Sequence, residues 1–366
     1  MKFKLIIGLA LATLLSACGK EPVASSDGAA VAEPVQTFKW KLVTSWPKNF
    51  PGLGTAPEKF SKMVDEMSAG RLKVKVYGAG QLVPALEVFD AVSRGTAEMG
   101  HSGAYYWKGK SPAVQFFTSV PFGLTAQEMN GWIQYGGGME IWQEIYAPFN
   151  LIPLSGGNTG VQMGGWFNKE INSIDDLKGL KMRIPGLGGE VLARAGGTPV
   201  TLPGAELFTA LQTGAIDATE WVGPYNDLAF GLHKAAKYYY YPGWHEPGSM
   251  MEFTVNQQAF DTLPKDLQAI VKVATRAVNQ DMLDEYTARN NHSLKDLVDK
   301  HGVQLRAYPK DVLMKLRDLS EQVVKEVSEK DAMTKKVYDS YKAYKDNIQG
   351  YHSLTEQAFL NARNAK

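Results

Sequence analysis

The strongest constraint on this chain is a repeated alternation of short strand patterns with amphipathic helix patterns. Phe38 to Thr44 alternates in the manner of a strand. Thr55 can cap a helix from about Ala56 to Ser68, with Phe60, Met63, Val64 and Met67 on one face and Gly70 as its stop. Leu72, Val74 and Val76 alternate with Lys73 and Lys75 as a second strand. A helix opening at Gln81 to Pro84 and running through Phe89 to Ser93 precedes a third strand at Ala97 to His101. The order β-α-β-α-β predicts a mostly parallel sheet with helices on its faces, in which ligands bind beyond the carboxyl ends of the strands.

The same alternation returns between Val161 and Trp221, so the predicted fold is α/β with two domains, a ligand cleft and a hinge. The chain has 366 residues, enough for two such cores. Residues 38–160 with 250–308 are assigned to a first domain and 161–249 to a second. Residues 309–366 form a C-terminal helical segment. In it Val312, Leu316, Leu319, Val323 and Val327 keep a helical period that continues to Val337, Tyr341 and Tyr344. One helix from about Lys310 to Asp346 is longer than a compact domain requires. It either braces both domains or packs on another chain. The formal net charge is +1 and no basic tract occurs, so nothing points to nucleic acid.

Residues 1–18 read as a targeting segment. Lys2 and Lys4 precede an apolar stretch, Leu5 to Leu15, too short to span a bilayer. Leu15-Ser16-Ala17-Cys18-Gly19 then fits a bacterial lipobox, with Cys18 lipidated as the mature N-terminus. A plain signal peptide with a chance cysteine is the other reading. Cys18 is the single cysteine, so no disulfide and no thiolate site is available. Residues 19–37, rich in Ala, Pro, Ser and Val, make a flexible tether. Lipidation would attach the protein to a membrane by its acyl chains, with a soluble body on a flexible tether.

No enzyme signature is present. Gly186-Leu187-Gly188-Gly189 lacks the third glycine and the acidic residue of a dinucleotide fingerprint, and the six histidines have no metal-ligand spacing. What remains is a set of polar residues at predicted strand ends. Arg183 can take a carboxylate with its planar fork, or pair with a nearby acid at the surface. Glu220 and the Trp221 carbonyl could serve a hard cation, which takes oxygen ligands. A 2-oxo or 2-hydroxy acid could chelate that ion, with Arg183 on its carboxylate and the Trp221 indole over its apolar end. Gln162 either contributes its amide there or is an ordinary strand residue. His245-Glu246 is a polar pair at the end of an aromatic strand, or a solvated turn. The turn Ser102 to Trp107, with Tyr105, is a candidate pocket rim, or a loop of packed aromatics.

Several longer stretches resemble one family. They are Lys-Leu-Val-Thr-Ser-Trp-Pro at 41–47, Gly157 to Phe167, Leu177 to Gly186, Gln212 to Pro224 and Gly243 to Gly248. Together they resemble the solute-binding proteins of tripartite ATP-independent periplasmic (TRAP) transporters, within the branch that takes 2-oxo acids and lactate. The resemblance covers nearly all of the mature chain. It implies a type II-like periplasmic binding fold that closes on its ligand and delivers it to a membrane permease. It also implies a sodium or calcium ion bridging protein and ligand, with Gln162, Glu220 and Trp221 around the ion. Arg183 matches the family's carboxylate arginine, Gln162 and Trp221 lie at ligand as well as ion, and Glu246 matches a further contact; Tyr105 from the turn and Asn158 complete the expected ligand contacts. The resemblance also places such a protein in the periplasm. Some relatives dimerise through a long C-terminal helix, which suits the tail here. The expected function is capture of a small monocarboxylate such as pyruvate or lactate, without catalysis. A binder of another acid feeding a sensor, or an enzyme in the same cleft, are the alternatives.

Overall fold

The computed structural model describes residues 36–365. The leader with its Cys18 lipidation site and nearly all of the 19–37 tether lie outside the described residues. The strands are β1 (Phe38–Thr44), β2 (Leu72–Tyr77), β3 (Met99–Ser102), β4 (Leu151–Asn158), β5 (Gly165–Phe167), β6 (Lys181–Arg183), β7 (Thr198–Val200), β8 (Ala218–Thr219), β9 (Tyr238–Tyr241), β10 (Met250–Asn256) and β11 (Gln304–Ala307). They form two sheets, in the orders β2-β1-β3-β10-β4 and β11-β9-β5-β8-β6-β7. The strands β1, β2 and β3 run parallel, as the opening pattern predicts, and β10 inserts antiparallel between β3 and β4. The architecture is mixed α/β with two sheets.

The chain leaves the first sheet after β4, returns at β10, and crosses again to reach β11. Residues 304–307 were expected with the first domain. Instead they pair in parallel with β9 and cover an edge of the second sheet that would otherwise be open. This pairing is distant in sequence, and no local pattern announces it.

The C-terminal segment differs from the single long helix expected. Helix Lys310–Ser328 stops, helix Ala332–Leu354 starts afresh, and a third follows at Glu356–Asn364. The break falls at Asp331, whose side chain accepts from Thr334 N at 2.7 Å and caps the new helix. The first two of these helices each bury an apolar face, so the period runs on across the break, whereas the third buries none. Among the described residues the longest helix is Lys265–Asp299, 35 residues. It lies against β4, helix Thr55–Met67 and helix Pro224–Phe230. Among the described residues no helix is long and apolar enough to cross a membrane.

Helix Pro224–Phe230 follows β8 of the second sheet, yet its side chains reach residues around the first. Asn226 Nδ2 donates to Pro51 O at 2.9 Å, and Tyr286 OH donates to Asn226 Oδ1 at 2.9 Å. Phe230 stacks on Phe50 with centroids 4.1 Å apart. Asp227, the residue after Asn226, turns the other way. It is buried and accepts from Trp166 Nε1 at 2.9 Å and Tyr239 OH at 2.6 Å, fixing the helix start against β5 and β9.

Burial pushes the Asp227 carboxyl up to about 7, against the pull of its Tyr239 and Trp166 donors. An unfolded aspartic acid ionises near pH 4, roughly. Between those values the folded chain holds a proton that the unfolded chain has lost, so stability falls as pH rises. Asp227→Asn should remove one proton from this linkage. Denaturant titrations from pH 4 to 7 should then show the slope of stability against pH shallower by about 1.4 kcal/mol per unit. An unchanged slope would show that Asp227 ionises normally.

Candidate functional site

Several chain segments that follow strand ends meet between the two sheets. From the first sheet come Trp46 after β1, the turn Ala104–Trp107 after β3, and Thr159 and Gln162 after β4. From the second come Arg183 closing β6, Glu220 and Trp221 after β8, and His245 and Glu246 after β9. Parallel pairing sets Arg183 beside Thr219, so the next residue, Glu220, follows directly, and its N donates to Arg183 O at 3.3 Å.

Arg183 is 1% exposed. Its Nη1 donates to a Glu220 carboxylate oxygen and, at 3.3 Å, to the Glu220 carbonyl. Its Nε donates to Leu202 O at 3.3 Å, and Nη2 donates to Tyr106 OH at 2.9 Å. A guanidinium has five N–H groups, so one on Nη2 remains for a ligand. The ring of Trp221 lies 4.9 Å from the guanidinium carbon, a cation–π contact. Gly204 makes room for that ring: a Cβ there would stand 2.6 Å from the indole edge. Tyr106 comes from the first sheet and Arg183 from the second, so their bond joins the two sides.

Around Glu220 lies a second group. Its other oxygen is 3.4 Å from His245 Nε2, and Glu246 completes a set whose donor atoms lie within 4.8 Å of one another. Glu246 accepts from Gln162 Nε2 at 2.7 Å and from the Ser249 hydroxyl. Burial raises the Glu246 carboxyl to about 7, helped by the Glu220 charge. The loop carrying it closes onto Gln162. Gln162 N donates to Glu246 O at 3.1 Å and Gly243 N to Gln162 O at 2.9 Å, and a Cβ at Gly243 would stand 2.3 Å from that oxygen.

Three buried polar atoms here have no protein partner among the described residues: Gln162 Oε1, Trp221 Nε1 and His245 Nδ1. The carboxylate bond on Gln162 Nε2 fixes which end of the amide is oxygen. Two carboxylates and an amide oxygen make the donor set of a hard cation such as sodium or calcium, while one imidazole makes no transition-metal set.

A narrow cavity adjoins the cluster, walled by Trp46, Leu53, Tyr105, Tyr106, Trp221 and Met251. Trp46 is held from behind: its Nε1 donates to His101 Nδ1 at 2.8 Å, and His101 Nε2 lies 2.9 Å from Gly156 O. Burial lowers His101 to about 4, so it stays neutral, with its proton on Nε2.

The structure brings together Gln162, Arg183, Glu220, Trp221, Glu246 and Tyr105. Gln162, Trp221 and Tyr105 line the cavity, while Arg183, Glu220, Glu246 and Asn158 stand outside its wall; the Asn158 amide accepts from Gly160 N at 2.9 Å and donates to Gly248 O at 3.5 Å. Arg183 satisfies both readings left open above. It pairs with an acid, but a buried one beside the cavity. Tyr106, Trp46, His101 and Ser249 carried no sequence signal beyond their neighbours. Tyr106 stacks on Tyr105 with centroids 4.5 Å apart, and only the turn geometry decides which hydroxyl meets Arg183.

A two-sheet α/β chain that gathers buried polar groups at its strand ends has the architecture of a ligand-binding cleft. The family model for bacterial extracellular solute-binding proteins, family 7 (DctP), matches residues 42–331. The chain belongs to this family, the solute-binding proteins of TRAP transporters. It is 48% identical over 323 residues, 88% of each chain, to the monocarboxylate 2-oxoacid-binding periplasmic protein of Nostoc sp.. Among solved structures it resembles a TRAP periplasmic solute-binding protein of Pseudoalteromonas atlantica with bound sodium and pyruvate. That match has 47% identity and a TM-score of 0.87, and covers 89% of this chain and 99% of the other. A counterpart from Colwellia psychrerythraea holds calcium and pyruvate, with 46% identity, a TM-score of 0.87, and coverage of 89% and 100%.

Removing the guanidinium would strand Glu220, whose carboxylate is buried. Arg183→Ala should destabilise the ligand-free protein by about 3–5 kcal/mol, the cost of an unpaired buried charge. The double variant Arg183→Ala with Glu220→Gln should recover part of that loss. Denaturant titration of the three proteins checks it, and a single variant as stable as the parent would show that the pair carries no such coupling.

Proposed function

We propose that this chain binds a small 2-oxo or 2-hydroxy monocarboxylate, pyruvate or lactate in size, together with a sodium or calcium ion, and releases it unchanged to a TRAP permease. The observation that carries the reading is the set of unpartnered Gln162, Trp221 and His245 atoms beside Arg183. The pyruvate with sodium or calcium held by the two relatives supports it. Arg183 holds the ligand carboxylate with its remaining Nη2 proton. Gln162, Glu220 and the Trp221 carbonyl surround the cation, with Glu246 next to them. Trp46, Tyr105 and Met251 limit the length of the ligand's apolar end. Arg183 already pairs with Glu220, so Glu246 and the bound carboxylate both lack a counter-charge. The cation supplies it, which explains why the site needs one.

The two sides of the cleft are assigned as 38–160 with 250–303 and 161–249 with β11, hinged where the chain crosses between sheets. Calorimetry with pyruvate should show binding in sodium or calcium buffer. Binding should be lost in choline buffer with a chelator, and pyruvate should be recovered unchanged by NMR. Below about pH 7 the cation must displace a proton from Glu246, so affinity should rise from pH 6 to 8 and then level. Binding that ignores both cation and pH would defeat the reading, and turnover of the acid would favour an enzyme.

The lipobox at Leu15 to Gly19 supports a protein lipidated on Cys18 and held at a periplasmic membrane face. The large apolar side chains exposed on the C-terminal helices support a homodimer: Tyr351 and Phe359 are each 63% exposed and Leu354 is 80%. Cys18→Ser should move the protein from the membrane to the soluble fraction. Truncation after Gly350 should turn a dimer into a monomer in sedimentation. A soluble parent protein would remove the first assignment and a monomeric parent the second.

A further inference from the structure

Glu252 is a buried carboxylate that the ligand reading leaves unused. It lies on β10 inside the first sheet, opposite Ser102 of β3. One oxygen accepts from Trp107 Nε1 at 2.6 Å and the other from Tyr146 OH at 2.7 Å. Among the described residues no cationic side chain contributes to its surroundings, and burial lifts the carboxyl to about 7 despite the two donors. An acid in such a place is costly, so packing alone does not account for it.

Its partner points to the reason. Trp107 closes the short turn Ala104–Trp107, and the residue before it is Tyr106, whose hydroxyl accepts from Arg183. The start of the turn is held separately, by Tyr105 N donating to the Thr118 hydroxyl at 3.0 Å. Glu252 therefore fixes the end nearest Arg183. Useful N–H···O contacts span only about 2.7–3.2 Å. A small shift of the turn would lose the 2.9 Å bond between Tyr106 and Arg183.

We propose that Glu252 is a positioning residue for the ligand site: through Trp107 it sets Tyr106 against Arg183 and so aims the guanidinium's remaining donor. It touches neither cavity nor ligand. This inference rests on the ligand reading above.

A double-variant cycle tests it, with pyruvate affinity in sodium or calcium buffer as the readout. Trp107→Phe keeps the ring and removes only the donor. It should weaken pyruvate by about five- to tenfold. In a Tyr106→Phe background the same change should cost less than about twofold, because the path is already cut. Glu252→Gln, which keeps an acceptor for the indole, should stay within about threefold of the parent, whereas Glu252→Leu should match Trp107→Phe. Equal losses from Trp107→Phe in both backgrounds would make Glu252 a packing residue and overturn the proposal, as would no loss at all. A parent protein that binds no pyruvate under any cation would instead overturn the ligand reading on which it rests.

Discussion

The buried guanidinium of Arg183 is the constraint that the rest of the cleft answers. It stays charged under all ordinary conditions and presents five donors in a plane. Burying it is costly unless those donors are met. The fold meets four of them, with the Glu220 carboxylate and carbonyl, the Leu202 carbonyl and the Tyr106 hydroxyl. Three of these come from the second sheet's own side and one from across the cleft. The group that can hold an anion is thus also a joint between the two sides.

Buried acceptors also fix indoles in and around the cleft. Trp46 of the cavity wall is tied to His101, and two indoles away from the wall are tied likewise, Trp107 to Glu252 and Trp166 to Asp227. His101 and Glu252 stand on neighbouring strands, since β10 pairs Phe253 with His101 and Glu252 with Ser102. The first sheet therefore positions two tryptophans from two adjacent rungs. Rings held this way present a rigid surface, and a rigid surface costs a ligand less ordering than a mobile one.

The opening β-α-β-α-β order and the repeated units were legible because each strand keeps its period of two and each helix its apolar face. What escaped is non-local. The pairing of β11 with β9 joins residues more than sixty apart, and nothing within Gln304–Ala307 marks it. The C-terminal break was hidden because Asp331 looks like any surface acid until its side chain is seen on Thr334. Within the site, Arg183, Glu220 and Trp221 stood out because strand ends are where such folds gather ligand groups. That Arg183 and Glu220 would pair follows from β6 lying directly beside β8, with β7 outside, an order that sequence spacing does not disclose. Tyr106 rather than Tyr105 meets the guanidinium, and Asn158 folds back onto its own loop. Both depend on side-chain direction, which a single-residue reading leaves undetermined.

Charge balance ties these elements into one argument. The protein side brings one guanidinium and two carboxylates, Glu220 and Glu246, into a buried volume. An incoming carboxylate alone would deepen that imbalance, and a cation alone would sit beside an arginine. Each becomes favourable when the other is present, so on the proposed reading the two bind with mutual gain. By linkage, each raises the other's affinity by the same factor. An arginine by itself would accept any carboxylate. A cation held next to it by Glu220 and Gln162 rewards a second oxygen on the neighbouring carbon, and the discrimination then lies in the pair rather than in either member.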